Sequence, residues 1–170
     1  MLLLIKYTLL YGIVLMLVAL GGMFSEHSGI INIALEGIMV IGGVAGVLTL
    51  TMLPADMSPF LVVLISVLVA ALAGMVYSLL LAFASVNLKA DQTIGGTALN
   101  MLAPAFAITM TWAIQGQGQT NILIPTWTRI TQETLGIAAK DTFFQNFLFK
   151  SFFLTTPVAI VLFVIAVILL

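Results

Sequence analysis

The chain has 170 residues, of which 62% are hydrophobic and 6% charged, whereas a soluble globular domain carries about 25% charged residues. That composition specifies an integral membrane protein, and five Lys/Arg against six Asp/Glu exclude a basic surface for nucleic acid or a polybasic patch for lipid headgroups. With no cysteine and one histidine, disulfides, thiolate chemistry and an all-protein zinc cage are excluded, and neither a metal nor another cofactor is expected.

A helix needs about 20 apolar residues to cross the hydrocarbon. Five stretches supply them, at about 7–24, 28–50, 60–86, 94–114 and 147–170, which predicts an all-α polytopic transmembrane helix bundle. The first follows a single basic residue, Lys6, and leads straight into Gly21-Gly22, so it reads as a retained span rather than a cleaved signal peptide. The last stops without flanking polar residues, although spans are normally bounded by such groups. The expectation is therefore a truncated chain, the N-terminal part of a single larger domain.

Between the first two spans lies Phe24-Ser25-Glu26-His27-Ser28-Gly29-Ile30-Ile31-Asn32-Ile33-Ala34-Leu35-Glu36-Gly37. Polar side chains at membrane depth cost several kcal/mol unless something inside the protein satisfies them. Read at helical spacing, Gly29, Asn32, Glu36, Met39, Gly43 and Gly46 share one face of the second span. Small residues permit close helix contact, and Asn32 and Glu36 are placed to hydrogen-bond across it. One reading is a packing seam and no more; the other is a seam that also moves or touches substrate.

Residues 52–59 hold two prolines and an acid, turn chemistry that makes spans two and three antiparallel neighbours. The third span carries Ala70, Gly74 and Ser78 at steps of four, a second small-residue face expected against the first. Asn87-Leu88-Lys89-Ala90-Asp91 then interrupts the apolar run, and Asp91 is placed to cap the fourth helix. In that helix Gln92, Gly96, Asn100 and Pro104 recur at steps of four, with hydroxyls at Thr93, Thr97, Thr109 and Thr111. Pro104 frees the carbonyl of Asn100 and marks a bend. A broken polar helix beside a glycine seam suits a transport pathway, with a purely structural kink as the alternative.

From 115 to 146 the chain is polar, and Trp112 and Trp127 sit where aromatic residues favour the membrane boundary. This aqueous segment is either an interfacial cover for the bundle or a docking surface for a soluble partner. No Gly-x-x-x-x-Gly-Lys-Ser/Thr occurs, so any ATP-driven work must come from a partner. Ser28 has only its neighbour His27 as a base, and adjacent helical side chains point apart, which argues against a serine protease. The polar groups are scattered over different helices, a pattern that suits a gated path better than a channel ring.

The run Gly21-Gly22-Met23-Phe24-Ser25-Glu26-His27-Ser28-Gly29-Ile30-Ile31-Asn32-Ile33-Ala34-Leu35-Glu36-Gly37 resembles the Gly-Gly-x-Phe-Ser-Glu-Arg-Ser-Gly-Val-Val-Asn-Ile-Gly-Leu-Glu-Gly signature of permease subunits of bacterial ABC importers, in the nucleoside branch. Ribose and branched-chain amino acid permeases share that architecture. Ala90-Asp91-Gln92-Thr93-Ile94-Gly95-Gly96-Thr97-Ala98-Leu99-Asn100-Met101-Leu102-Ala103 is similar to a second element of the same proteins, Ala-Asn-Gln-x-Ile-x-Gly-x-Ala-Leu-Asn-x-Leu-Ala. Two departures matter: His27 stands where the family usually has arginine, and Ala34 where it usually has glycine.

The resemblance implies a transport subunit, not an enzyme, in a bacterial cell membrane. It would work with cytoplasmic ABC ATPases, a second permease subunit, homologous or identical, and an extracytoplasmic substrate-binding lipoprotein. Its coupling helix would lie beyond Leu170. Counting basic residues puts Lys6, Arg129, Lys140 and Lys150 in the cytoplasm. The resemblance puts 115–146 outside, with Lys89 and the Ser25-to-Gly29 turn on the cytoplasmic side, and is preferred because the count rests on few charges. Asn32, Glu36, Asn100 and Gln92 are the expected polar groups of the path, and Gly29, Gly43, Gly46, Gly74 and Gly96 the packing positions. Ser25, Glu26, His27 and Ser28 carry the signature. Nucleosides are the expected cargo; ribose-type sugars, branched-chain amino acids and, from another class, an ATP-independent channel or structural subunit are the alternatives.

Overall fold

The computed structural model describes residues 2–116, 118, 122, 164 and 168. Four helices follow in order, α1 (Leu2–His27), α2 (Leu35–Met52), α3 (Pro59–Val86) and α4 (Gln92–Gln115), with no strand among the described residues. Of these, α2, α3 and α4 are long and apolar enough to span a membrane. The chain divides into two units. One comprises Met1–Gly21 and Arg129–Leu170, in which Tyr7 and Tyr11 stack one helical turn apart along α1. The other, Gly22–Thr128, holds the three long helices. The expected fifth span and most of the aqueous segment lie outside the described residues.

Backbone contact organises the second unit. Gly42 and Gly46 of α2 meet Ala70 of α3, where an added Cβ would stand 3.0 Å from the Ala70 carbonyl oxygen and 3.1 Å from the Ala70 Cβ. Gly74 meets Ile38 in the same way, at 3.3 Å from the Ile38 Cγ2. These pairs run in opposite directions along the two helices, so α2 and α3 are antiparallel. The connection between them ends at Ser58, whose carbonyl accepts the N–H groups of Leu61 and Val62, with Pro59 in the first helical position. Against α4 the pairing is parallel: Ile33 lies on Gly96, and Gly37 on Leu99 and Ala103.

Two expectations are corrected here. The second helix does not start near residue 28, so Gly29 and Asn32 are not on the helical face with Glu36 and Gly46. Nor is Gly43 at the α2–α3 seam: it is exposed, with nothing within 4 Å of an added Cβ, and the seam residues are Ile38, Gly42 and Gly46. A helix that begins seven residues late loses the register drawn through its supposed first turn. In α4, Pro104 sits inside continuous helix, and the interruption lies in residues 28–34 instead.

Candidate functional site

The break between α1 and α2 follows from local chemistry. At the end of α1 the Gly29 N–H donates to the Glu26 carbonyl at 2.9 Å and the Ile30 N–H to the Ser25 carbonyl at 3.3 Å. This is a Schellman termination, which needs a left-handed residue at the first of those donors, and Gly29 has φ of 83°. The Ser25 hydroxyl donates to the Ile30 carbonyl at 2.9 Å, and the Ser28 hydroxyl to the Ser25 carbonyl at 2.6 Å. His27 lies in the last turn with Nδ1 3.0 Å from the Met23 carbonyl, where a basic group meets the negative end of the helix dipole. Ser25, Ser28 and Gly29 are therefore a helix stop. Glu26 is exposed and, with Met23 and His27, borders a small cavity of about 270 Å³.

Past the stop, Asn32 closes a tight turn by accepting the Ala34 N–H on its own Oδ1 at 3.0 Å. Residues 31–37 are then tied to one face of α4. Gln92 Oε1 accepts the Ile31 N–H at 2.7 Å. One turn on, Gly96 leaves room for Ile33 and Ala34; an added Cβ would lie 2.9 Å from the Ile33 Cβ and 3.2 Å from the Ala34 nitrogen. One further turn on, the Asn100 carboxamide spans the break. Its Oδ1 accepts the Gly37 N–H and its Nδ2 donates to the Ile33 carbonyl, both at 2.7 Å. A donor on one side and an acceptor on the other fix which way the amide faces.

Asn32, Gln92 and Asn100 are thus brought together around the start of α2 by hydrogen bonds to backbone. Glu36 is beside them in sequence but exposed, and its carboxylate makes no hydrogen bond or ion pair among the described residues. Gly37 is the close-approach glycine that the sequence pattern missed: an added Cβ would meet the Leu99 carbonyl oxygen at 3.0 Å and Asn100 Oδ1 at 3.1 Å. Tyr77 was also missed. Its hydroxyl donates to the Leu99 carbonyl at 2.7 Å, which braces α3 against α4 where Gly37 makes its approach. A tyrosine hydroxyl inside an apolar span was the available signal.

Two further features complete the site. Asp91 caps α4 by accepting the N–H groups of Thr93 at 2.7 Å and Ile94 at 3.1 Å. Those bonds, to Ile94 and then to Thr93, hold its carboxyl below the ordinary 3.8. On the other side, α2, α3 and α4 leave a groove of about 690 Å³ lined by Leu48, Leu72, Val76, Phe106 and similar side chains. Its one polar side chain, Tyr77, is already bonded to Leu99. The groove therefore offers shape to an apolar surface but little to a polar solute. No group of histidines, cysteines and carboxylates with metal-binding geometry occurs among the described residues.

Comparison with known proteins places this arrangement. Residues 4–170 match the family described as the branched-chain amino acid transport system / permease component. The chain belongs to that family. Within it, this permease chain is 43% identical over 117 residues to the nucleoside ABC transporter permease protein NupC of Lactococcus lactis, and 42% identical over 117 residues to the guanosine ABC transporter permease protein NupQ of Bacillus subtilis. Each alignment takes in 67% of this chain, and 36% and 35% of the respective relative. The permease chain thus spans little more than a third of the relatives it matches. An uncharacterized protein of Mycoplasma genitalium is 36% identical over 101 residues, 55% of this chain and 32% of that one. No solved structure matches.

Proposed function

We propose that this chain is the N-terminal part of the permease subunit of an ATP-driven ABC importer that takes up nucleosides. The observation that carries the reading is the 43% identity to a nucleoside permease, supported by the similar guanosine permease. In this reading the chain forms part of the translocation path in a bacterial cell membrane as a multi-pass protein. Two cytoplasmic ATPase subunits drive it, it pairs with a homologous or identical permease, and a substrate-binding lipoprotein delivers the cargo. The chain itself catalyses no covalent reaction.

Glu36 is the path residue of this proposal. Gln92, Asn100 and the Asn32 oxygen are engaged with backbone, whereas the Glu36 carboxylate is exposed and able to accept hydrogen bonds from sugar hydroxyls or base N–H groups. The Ile31–Gln92 bond joins the turn after α1 to the start of α4, which supports placing the Ser25-to-Gly29 turn and Lys89 at the same side of the membrane, the cytoplasmic one in this proposal. The test is purification of the full-length gene product from its native membranes in mild detergent. A P-loop ATPase at stoichiometric level supports the importer; its absence, under conditions that keep a known importer intact, contradicts it.

A further inference from the structure

Both ends of the Asn100 carboxamide are committed to backbone at the start of α2, and that start has no cap of its own. Ala34 occupies the N-cap position with φ −78° and ψ 10° and provides no side-chain bond. A local Ser, Asp or Asn at that position would accept the N–H of the second or third helical residue. Gly37 is the third helical residue, and its N–H goes to Asn100 Oδ1 on α4. Meanwhile Asn100 Nδ2 satisfies the Ile33 carbonyl, just before the cap.

We propose that Asn100 is a positioning residue for transport, supplying the N-terminal cap of α2 from α4 and so fixing where α2 begins and where Glu36 stands. Three features make the cap specific. The carboxamide has one donor and one acceptor at the separation that the Ile33 carbonyl and Gly37 N–H present. Gly37 and Gly96 let the two backbones approach so closely that a bulkier residue in either place would part them. Gln92, two turns earlier on the same face of α4, holds Ile31 by the same kind of bond. The start of α2 and the first turns of α4 consequently move as one body, and Asn100 is spent on backbone rather than substrate.

Asn100→Asp provides the sharpest test, because it keeps an oxygen that accepts the Gly37 N–H whatever its charge and so retains the capping bond, whereas Asn100→Leu removes it.

The experiment is hydrogen exchange on the full-length permease in lipid nanodiscs, expressed as protection at amides 31–38. Asn100→Leu is expected to lower protection there roughly tenfold while leaving α3 unchanged. Asn100→Asp, which keeps the acceptor, should hold the Gly37 amide within about threefold of the wild type. Wild-type protection in Asn100→Leu would overturn the proposal. So would a roughly tenfold loss of Gly37 protection in Asn100→Asp, a comparison with the wild type that is valid even if the leucine variant fails to accumulate. The uptake arm rests on the proposed function: in the complete importer, nucleoside uptake should fall further in Asn100→Leu than in Asn100→Asp. Equal uptake by Asn100→Leu and the wild type overturns the positioning role. A wild type that takes up no nucleoside counts against the proposed function alone, since exchange reads the cap directly.

Discussion

The hydroxyl of Tyr77 on α3 donates to the carbonyl of Leu99 on α4 at 2.7 Å, and the same carbonyl oxygen is what leaves Gly37 no room for a side chain. Three helices therefore meet at one peptide group. Tyr77→Phe removes the bond and keeps the ring, and is expected to destabilise the α3–α4 contact by about 1 kcal/mol. An SDS titration of the purified full-length protein, followed by loss of helicity, measures it. An unchanged midpoint would show that the hydroxyl contributes nothing.

The glycines divide by what faces them. Gly96→Ala puts a methyl 2.9 Å from the Ile33 Cβ, and Gly37→Ala puts one 3.0 Å from the Leu99 oxygen. Each is expected to cost about 1–3 kcal/mol through displacement of α2 from α4. Gly43→Ala has nothing within 4 Å and should be neutral or mildly stabilising in mid-helix. Ranking the three variants in the same titration checks the seam; a Gly43 variant as damaged as Gly96 would contradict it.

Much of this architecture was legible in the residues, and what was not has identifiable causes. Apolar runs of membrane length located α2, α3 and α4 because lipid leaves a spanning helix few alternatives. Asp91 announced its own cap. The face of α4 carrying Gln92, Gly96 and Asn100 was also readable, since all three lie on a continuous helix. The start of α2 was not: Gly29, Asn32 and Glu36 fit a helical period by coincidence, whereas Gly29 ends α1 and Asn32 closes a turn. Nothing local marks the true start at Leu35, because the bond that satisfies its third N–H, that of Gly37, comes from Asn100, 63 residues further along the chain. That tertiary cap also kept Gly37 hidden, for a glycine's need is visible only once its neighbour is known.

Asp91 gives a pH signature. Its folded carboxyl is held below the ordinary 3.8 by the Ile94 and Thr93 N–H groups, so its capping contribution is fully present above the unfolded pKa and is lost as pH falls through the lowered folded value. Asp91→Asn keeps an accepting oxygen without the charge. It should remove this part of the acid sensitivity of the first turn of α4, read as amide protection at Thr93 and Ile94 over a descending pH series. Equal acid sensitivity in the variant would refute the assignment.

Glu36 tests the path. Glu36→Leu is expected to leave membrane insertion intact, because the carboxylate makes no internal bond among the described residues, and to lower uptake by the complete importer at least about tenfold if an ionic hydrogen bond to substrate is lost. Uptake at the wild-type rate, with normal protein levels, would remove Glu36 from the path.

The most direct measurement is uptake of labelled guanosine into proteoliposomes that contain the complete permease, its ATPase and its binding lipoprotein, with and without ATP. The account predicts ATP-dependent accumulation that unlabelled nucleosides suppress and that ribose and leucine do not. Accumulation without ATP would point to a channel. Suppression by leucine or ribose but not by nucleosides would keep the chain in its family and contradict the cargo assigned to it.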